Sequence, residues 1–452
     1  MSSEEGRPRR RFGLGPVLAG ASLMGLVLSA CGSGPNPSGA AIKGHPWVLN
    51  RQYAGETITV LLPPWGQMPA SQLARFTAKT GIKVRMENLA WDSIHDKVVT
   101  AEAAGTAPAD VTEVDWSWVG QFSQAGWYTN LSGLIKPSVL ADNIVAKVFN
   151  VKGDQIAIPY NMDFRATMIN WTDFKKAGIT TVPATWSELL ADAKTIKAKG
   201  VVQYPIGIPL SVTEGASTPW YELIKSAGGE LFGPHWTPLF TAPNSPGAQA
   251  LEFEKTLYQD HLVPPGEVSL TDVQTETLFE NNTVAVVLAD SPGSLATVTN
   301  PSASAIAKAG DQVKLIPFPG NDGKPPGLTF GLPEGLGIPK NASNKGAAAM
   351  FINWWEQTPQ LVVSYEDANL GNLPPERYAF DLLNREGKIV GGNEISTLLP
   401  TVGPLFPQGT PVWYPQFSSD VATMIQNTVE GRTAPLPALR QLAAEVKSIS
   451  GG

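Results

Sequence analysis

The sequence contains a single cysteine, Cys31, so no disulfide can form within the chain and cysteine-based redox or zinc chemistry is excluded. Its four histidines are scattered, and a His-Glu-x-x-His zinc pattern is missing. A Gly-x-Ser-x-Gly nucleophile elbow and a phosphate-binding glycine loop are missing too. We therefore expect no catalytic residues, no metal and no cofactor. The sequence does not exclude glycoside hydrolysis by a pair of carboxylates, because the two groups need only be about 5–10 Å apart in space.

Positive charge is scarce as well. The chain has a net charge of −7, and its first 30 residues contribute +2, which leaves −9 for the remainder. A chain with this balance and no basic, aromatic-interleaved stripe is not expected to bind nucleic acid. Tryptophan, by contrast, is abundant, with 13 residues. These side chains call for an explanation, because a soluble core can be built without them.

The long apolar run lies near the N-terminus and has the order of a secretory signal. Four arginines precede a mostly apolar segment, Phe12–Leu28, which is too short and too glycine-rich for a comfortable membrane span. Small residues at Ser29 and Ala30 then come directly before Cys31. This ending resembles a bacterial lipobox, in which the cysteine is lipidated and becomes the new N-terminus.

Residues 1–30 are accordingly predicted to be a lipoprotein signal peptide, and residues 31–54 a lipidated cysteine followed by a flexible tether. The lipid would hold the chain at the outer face of a membrane. A run of three arginines followed by phenylalanine also allows twin-arginine export, although it serves ordinary secretion equally well. The competing interpretation of Cys31 is a lone buried cysteine behind an ordinary signal peptide.

Beyond residue 55 the hydrophobic pattern alternates between strands and helices. Strands are expected at 57–62, 82–86 and 111–114, with helical stripes between them. This alternation is typical of a parallel sheet with crossover helices. In such sheets ligands bind beyond the carboxyl ends of the strands, so the loops that follow these strands are the first place to look for a site.

A second α/β region begins after Tyr160. Thr185–Glu188 is a capping box that opens a helix, and residues 284–288 are apolar on both faces, as expected of a central strand. Further helices are predicted at 345–355, after 358, at 419–430 and at 434–448.

Seven short stretches, each weakly specific alone, occur in a fixed order: Phe76–Val84, Gly105–Val111, Ile158–Tyr160, Trp186–Leu189, Ala227–Gly229, Ile316–Gly320 and Gly337–Lys340. Behind a lipobox, this order resembles the family 1 extracellular solute-binding proteins, the carbohydrate-binding lipoproteins that serve ABC importers. Maltose-binding protein is a distant relative in that group. The resemblance runs from about residue 55 to the C-terminus. It implies an α/β, two-lobed periplasmic-binding-protein-like fold (type II), with the ligand cleft between the lobes.

The resemblance also implies where the chain passes between the lobes. Crossings are expected near 161–167, near 305–312 and near 366–374. Lobe 1 would then comprise residues 55–161 plus 312–366. Lobe 2 would comprise residues 167–305 plus 372–452.

A sugar presents flat CH faces and a rim of hydroxyls, so its binder needs aromatic rings for stacking and carboxylates or amides at the rim. Candidate rings fall in predicted loops rather than in helix stripes: Trp65, Trp116, Trp118, Trp220, Trp413 and Tyr414. Trp413 is the strongest of them, because the resemblance places a stacking tryptophan there. Ordinary packing competes with this interpretation at each position. It is the assignment that we make for Trp186, Trp354 and Trp355.

Three acids stand where strands or crossings end. Asp115 and Asp290 leave strands of the two regions, and Asp163 stands at the first crossing, where the resemblance implies a sugar-contacting carboxylate. Turn chemistry or helix capping is the alternative for each. Gln67 adds an amide beside the first candidate tryptophan, and Arg165 could orient Asp163 or pair with an acidic sugar.

These features predict a lipid-anchored receptor, on the extracytoplasmic face of the cell membrane, that captures a neutral sugar or oligosaccharide by hinge closure. Where the resemblance implies a charged pair after the third strand, this chain has Ser117-Trp118. This departure favours more stacking and fewer ionic contacts with the ligand. The resemblance implies ABC permease subunits as partners, and we expect a monomer. Two alternatives stay open: a binder of a polyamine or glycerol phosphate, and an extracellular carbohydrate hydrolase. Phosphate would call for cationic groups, of which the candidate loops have few.

Overall fold

The computed structural model describes residues 42, 45–368 and 371–451. The predicted signal peptide and Cys31 lie outside these residues. The strands are β1 Thr57–Leu62, β2 Lys83–Asn88, β3 Val111–Asp115, β4 Asn150–Val151, β5 Asp154–Gln155, β6 Ile158–Asn161, β7 Ala166–Asn170, β8 Ile206–Gly207, β9 Val286–Asp290, β10 Val313–Ile316, β11 Thr329–Phe330, β12 Glu334–Gly337 and β13 Val402–Gly403.

The α-helices alternate with the strands along most of the chain. They are α1 Ala70–Thr80, α2 Trp91–Ala103, α3 Val119–Ala125, α4 Pro137–Asp142, α5 Trp171–Lys176, α6 Trp186–Ala198, α7 Glu214–Ser226, α8 Pro246–Gln259, α9 Asp272–Glu280, α10 Leu295–Val298, α11 Ala305–Ala309, α12 Lys345–Trp355, α13 Thr358–Ala368, α14 Arg377–Arg385, α15 Gly392–Leu398, α16 Tyr414–Val429 and α17 Pro435–Ile449. Among the described residues, no helix combines the length and the apolar character that a membrane crossing requires.

The first lobe is built on a five-stranded sheet in the order β2-β1-β3-β12-β6. The pairs β1–β2 and β1–β3 are parallel, as the strand–helix alternation predicts, while β12 runs antiparallel to β3 and β6. Successive side chains of β1 point to opposite faces. Val60 and Leu62 accordingly join the core under α12, whereas Leu61 joins the core under α2 and α3. Both faces of the sheet are therefore covered.

The second lobe is built on a four-stranded sheet in the order β10-β7-β9-β8. β9 lies inside this sheet, as its apolar sequence predicts. Val286 and Leu288 pack into the larger core with α7, α8, α16 and α17, while Val287 packs on the other face. The predicted capping box is present, because the Thr185 hydroxyl accepts from the Glu188 amide and the Glu188 carboxylate accepts from the Thr185 amide.

Two of the expected boundaries are corrected by the structure. The second crossing does not lie near 305–312, because β10 still pairs with β7 and the chain reaches the first sheet only at β12. The flexible tether was expected to extend to residue 54. Leu49 and Tyr53, however, already pack against the first-lobe core, and Tyr53 lies directly over Gly346 of α12.

Candidate functional site

Loops from both lobes enclose a cleft that consists of three adjoining cavities. The central cavity has a volume of about 370 Å³. A cavity of about 320 Å³, here called the acidic chamber, shares six lining residues with it, including Trp65, Asp163 and Asp272. An outer cavity of about 290 Å³ adjoins its other side through Trp91 and Glu214. The cleft is thus continuous and has a wall from each lobe.

The wall of the first lobe carries three tryptophans, each placed by the end of a parallel strand. Trp65 lies in a short 3₁₀ turn after β1, Trp91 opens α2 after β2, and Trp116 follows β3 directly. All three line the central cavity. Trp65 and Trp91 are half-buried, whereas Trp116 is only 4% exposed and packs against Tyr414 of the second lobe. Two indoles are therefore free to stack on a ligand, and the third joins the two lobes.

The wall of the second lobe comes from the first turns of α7 and α9. Thr213, Glu214 and Thr218 face the central cavity from α7 and its N-cap, and Thr271 and Asp272 face it from α9. Helix N-termini carry unsatisfied amide donors and a partial positive charge, so acceptors of a ligand are favoured there. This wall offers hydroxyls and carboxylates, in contrast to the ring-bearing wall opposite.

The first crossing supplies a charged pair between the central cavity and the acidic chamber. The guanidinium of Arg165 lies 2.7 Å from a carboxylate oxygen of Asp163. The other oxygen of Asp163 accepts hydrogen bonds from the Ser291 hydroxyl at 2.7 Å and from the Phe164 amide at 2.9 Å. Burial raises the pKa of Asp163, and Arg165 and Ser291 oppose this shift. Arg165 therefore orients Asp163, one of the two roles considered for it.

Glu334 lies at the floor of the cleft and binds the indole of Trp65. The Nε1 group of Trp65 lies 2.8 and 2.9 Å from the two Glu334 oxygens, and the amide of Asn161 donates to one of them at 2.8 Å. The pairing of β12 with β6 shifts register between Glu334 and Gly335, an irregularity of the kind often found beside sites. Burial raises the pKa of Glu334 to about 7, and the hydrogen bond from Asn161 opposes the shift.

Glu214, at the start of α7, is held by two hydroxyls of α16. The Tyr414 hydroxyl donates to one of its oxygens and the Ser418 hydroxyl to the other. Burial raises the pKa of Glu214 to about 7, against the effect of these donors. Tyr414 therefore acts behind the cleft wall, where it positions a carboxylate that faces the cavity.

Three buried carboxylates beneath the cleft, those of Glu113, Asp115 and Glu334, offer oxygens within 4.8 Å of one another, a spacing that would fit a divalent metal. Neutral groups already donate to this cluster, among them the Tyr160 hydroxyl to Glu113 at 2.9 Å and the Ser117 amide to Asp115 at 2.8 Å. Burial raises the pKa of all three carboxyl groups. Protons and neutral donors can therefore hold the cluster together without a metal.

The sequence candidates divide into those that the structure brings to the cleft and those that it does not. Trp65, Asp115, Trp116, Asp163 and Asp290 line the central cavity or the acidic chamber. Trp118 borders the outer cavity, but only 2% of it is exposed and it packs between Trp91 and Phe122.

The remaining candidates lie elsewhere. Gln67 lines a separate pocket of about 30 Å³ in the first lobe. Trp220 was expected in a loop ahead of Gly228-Gly229, yet it lies within α7, which continues through Pro219. The helix buries the indole, whose Nε1 group donates to the Gly247 carbonyl at 3.0 Å. Trp413 packs edge-on against Phe232 and Trp236 inside the second lobe. Neither indole lines the three cavities.

Several lining residues were not candidates from sequence. Trp91 follows β2 as Trp65 follows β1, so the strand-end rule that pointed to Trp65 also indicates Trp91. Glu214 and Asp272 gave no comparable signal, because acids in the first turn of a helix are common. The expectation of fewer ionic contacts to the ligand stays a prediction, but the cleft lining is rich in acids. Six carboxylates line the central cavity and six the acidic chamber, three of them shared.

A larger open groove of about 530 Å³ lies within the second lobe, where Trp186 and Phe253 form part of its lining. Its walls come from α6, α8 and the start of α17, with Asn321 at its edge. Since all of these elements pack around the second-lobe core, hinge motion between the lobes cannot close it. The interlobe cleft is the better candidate site.

Comparisons with known proteins agree with this geometry. Residues 66–360 match the family described as bacterial extracellular solute-binding protein. A binding protein of Brucella abortus is 30% identical over 46% of this chain, which spans about half, 50%, of that relative's length. The diacetylchitobiose binding protein DasA of Streptomyces coelicolor is 29% identical over 63% of this chain and 66% of its own length.

A solved structure shows the same fold. The maltose-bound MalE3 protein of T. maritima superposes with a TM-score of 0.77, covering 87% of this chain and 99% of its own, at 21% identity. At this identity the likeness shows the fold, that of a two-lobed periplasmic binding protein.

Proposed function

The chain belongs to the bacterial extracellular solute-binding proteins, and we propose that it captures a carbohydrate in the cleft between its lobes for an ABC importer. The family and the fold are those of substrate-binding proteins, which are non-enzymatic. A location outside the cytoplasm follows from the family. The identity of the solute, the lipid anchor and delivery to a permease are parts of the proposal.

The observation that carries the carbohydrate proposal is the pairing of unlike walls across one cleft. Half-buried indoles of Trp65 and Trp91 face hydroxyls and carboxylates on α7 and α9. Rings stack on the CH faces of a pyranose, and carboxylates accept from its hydroxyls. DasA is named for a disaccharide and MalE3 was solved with maltose, which agrees with this class of ligand.

Capture would follow from contacts that only the closed cleft can make. A sugar between Trp91 and α9 touches both lobes, so it stabilises the closed arrangement relative to the open one. The ion pair of Asp163 with Arg165 lies where the chain first passes between the two sheets, and the Asn372 amide donates to the Trp65 carbonyl at 2.7 Å. These contacts would fix the floor of the cleft while the lobes close.

A thermal-shift screen tests this proposal. We expect at least one mono- or oligosaccharide from a broad panel to raise the melting temperature, because a ligand that prefers the folded state stabilises it. Sugars recovered after incubation should be intact. Release of smaller sugars would favour the hydrolase alternative. A panel in which only polyamines or glycerol phosphate raise the melting temperature would contradict the carbohydrate assignment.

The lipid anchor has its own test, because Cys31 is a single, defined attachment point. The Cys31→Ala variant should move from the membrane fraction to the soluble fraction of cells that express it. A Cys→Ala change elsewhere is not available as a control, so incorporation of a labelled fatty acid is compared between the wild type and Cys31→Ala, and only the wild type should be labelled. Membrane association of Cys31→Ala that equals the wild type would contradict the lipobox interpretation.

A further inference from the structure

The acidic chamber has far more negative than positive side chains. Its lining includes six carboxylates, those of Asp163, Asp272, Glu276, Glu280, Asp290 and Glu334. Among the described residues that line it, Arg165 is the one cation, and Asp163 already holds this guanidinium at 2.7 Å. No second cation among the described lining residues is therefore left to pair with the other acids.

One face of α9 concentrates this charge. Asp272, Glu276 and Glu280 stand at positions i, i+4 and i+8, so their side chains lie on one face of the helix. Like charges at i, i+4 destabilise a helix by roughly 0.2–0.5 kcal/mol per pair. Such a stripe costs stability in the unliganded protein, and a binding partner for it would offset that cost.

Asp290 adds an unsatisfied oxygen to the same space. It ends β9, and the Ser291 amide donates to its Oδ1 at 2.7 Å. Its Oδ2 is buried and has no hydrogen-bond partner among the described residues. In the described part of the chain, neither Asp290 nor Asp272 nor Glu276 forms an ion pair. A buried carboxylate oxygen without a partner is costly unless a ligand supplies the donor.

We propose that the ligand of this cleft is an amino sugar and that its protonated amine binds in the acidic chamber, next to Asp290 and Glu276. This inference rests on the carbohydrate function proposed above and narrows it to a cationic class. The pyranose ring would lie in the central cavity against Trp65 and Trp91. The two cavities share Trp65, so a ring on this indole places a substituent at the entrance of the chamber.

An ammonium group fits the chamber better than a neutral acetamide does. It donates three hydrogen bonds and carries a positive charge that pairs with the carboxylates. Burial raises the pKa of Asp290 to about 7, an effect that Arg165 opposes. A bound cation would act in the same direction as Arg165 and keep the carboxylate ionised. An acetamide would supply a single N–H donor. Its carbonyl oxygen is itself an acceptor, so it cannot form a hydrogen bond with the carboxylates.

Titration calorimetry with matched ligands tests the inference on the unaltered protein. The glucosamine disaccharide and N,N′-diacetylchitobiose share one carbohydrate backbone and differ at the nitrogen atoms. We expect the amine form to bind at least tenfold more tightly, about 1.4 kcal/mol, and its affinity to fall with added salt. The same comparison is made with glucosamine and N-acetylglucosamine, in case the cleft holds one ring.

Variants then locate the amine. Asp290→Asn and Glu276→Gln should each reduce the preference for the amine form at least threefold and leave the acetylated form unaffected. Both changes remove like charge, so we expect no loss of thermal stability. Asp381→Asn, at an exposed position on α14, removes the same charge outside the cleft and should leave the preference unchanged.

The outcomes separate the inference from the function on which it rests. Equal or tighter binding of the acetylated sugars overturns the amino-sugar inference and leaves the carbohydrate function intact. A preference that survives both chamber variants overturns the placement of the amine. Binding of spermidine without binding of any sugar overturns both the inference and the carbohydrate function.

Discussion

Both lobes are rich in tryptophan, but they use it differently. In the second lobe, Trp220, Trp236 and Trp413 pack edge-on against phenylalanines in one aromatic core. In the first lobe, Trp65 and Trp91 stand at the ends of parallel strands, half-buried at the cleft. The position of an indole relative to the sheet, more than its occurrence between prolines or glycines, therefore decides whether it can meet a ligand.

The largest expected effect is the loss of stability when a packed indole of the second lobe is removed. Trp220 is fully buried, and its indole both donates to Gly247 and packs on Phe240. Trp220→Ala should lower the free energy of unfolding by about 3–5 kcal/mol, as truncation of a buried aromatic does. Urea denaturation followed by fluorescence measures it. A loss below about 1 kcal/mol would show that this core is not what holds the second lobe.

A second prediction concerns Glu214, the acid of the second-lobe wall that the hydroxyls of Tyr414 and Ser418 hold in place. Since burial raises the pKa of Glu214 to about 7, the folded protein binds a proton here more tightly than the unfolded chain does. Stability should therefore decrease as the pH rises from about 4.5 to 7. The contribution is about 2 kcal/mol, because each pKa unit corresponds to about 1.36 kcal/mol and Glu214 is partly solvated.

Glu214→Gln removes this titration and should make the pH dependence of the free energy of unfolding less steep in that window, while other buried acids with a raised pKa, such as Glu334, keep part of the slope. Glu188, an exposed acid of the α6 capping box, lies outside the cleft, and Glu188→Gln should leave the slope in place. Identical slopes for wild type and Glu214→Gln would contradict the assignment.

The third and smallest effect is on affinity. Trp91→Ala removes a half-buried indole from the cleft, and Trp413→Ala removes a half-buried indole from the aromatic core. Trp91→Ala should weaken carbohydrate binding at least tenfold, about 1.4 kcal/mol, because a stacking face is lost. Trp413→Ala should change affinity less than threefold. Calorimetry on both variants decides, and the reverse order would return the stacking role to Trp413.

Much of the fold could be predicted from local pattern. The strand at 57–62 and the helix at 345–355 agree with β1 and α12 to the residue, because each has a clear period and clear end signals. The antiparallel placement of β12 between β3 and β6 could not be predicted. That pairing joins segments more than 170 residues apart, and no local pattern encodes it.

The site was predictable where it depends on the carboxyl ends of strands and unpredictable where it depends on packing between helices. Trp65, Asp115 and Trp116 were found by the strand-end rule. Tyr414 was predicted to bind the ligand, but it is a buried residue whose hydroxyl donates to Glu214. Glu214 lies 200 residues away in the chain, so no local pattern reveals this contact. Trp413 lies at the N-cap of α16, and the aromatic core around it decides the direction in which its indole points. The sequence alone does not reveal that core.

A crystal structure with the carbohydrate that gives the largest thermal shift tests the central claim most directly. We expect a sugar ring between the indoles of Trp65 and Trp91 and the first turns of α7 and α9, with both lobes in contact. Density for the sugar in the open groove beside Trp186, or in the cleft but touching a single lobe, would contradict the account.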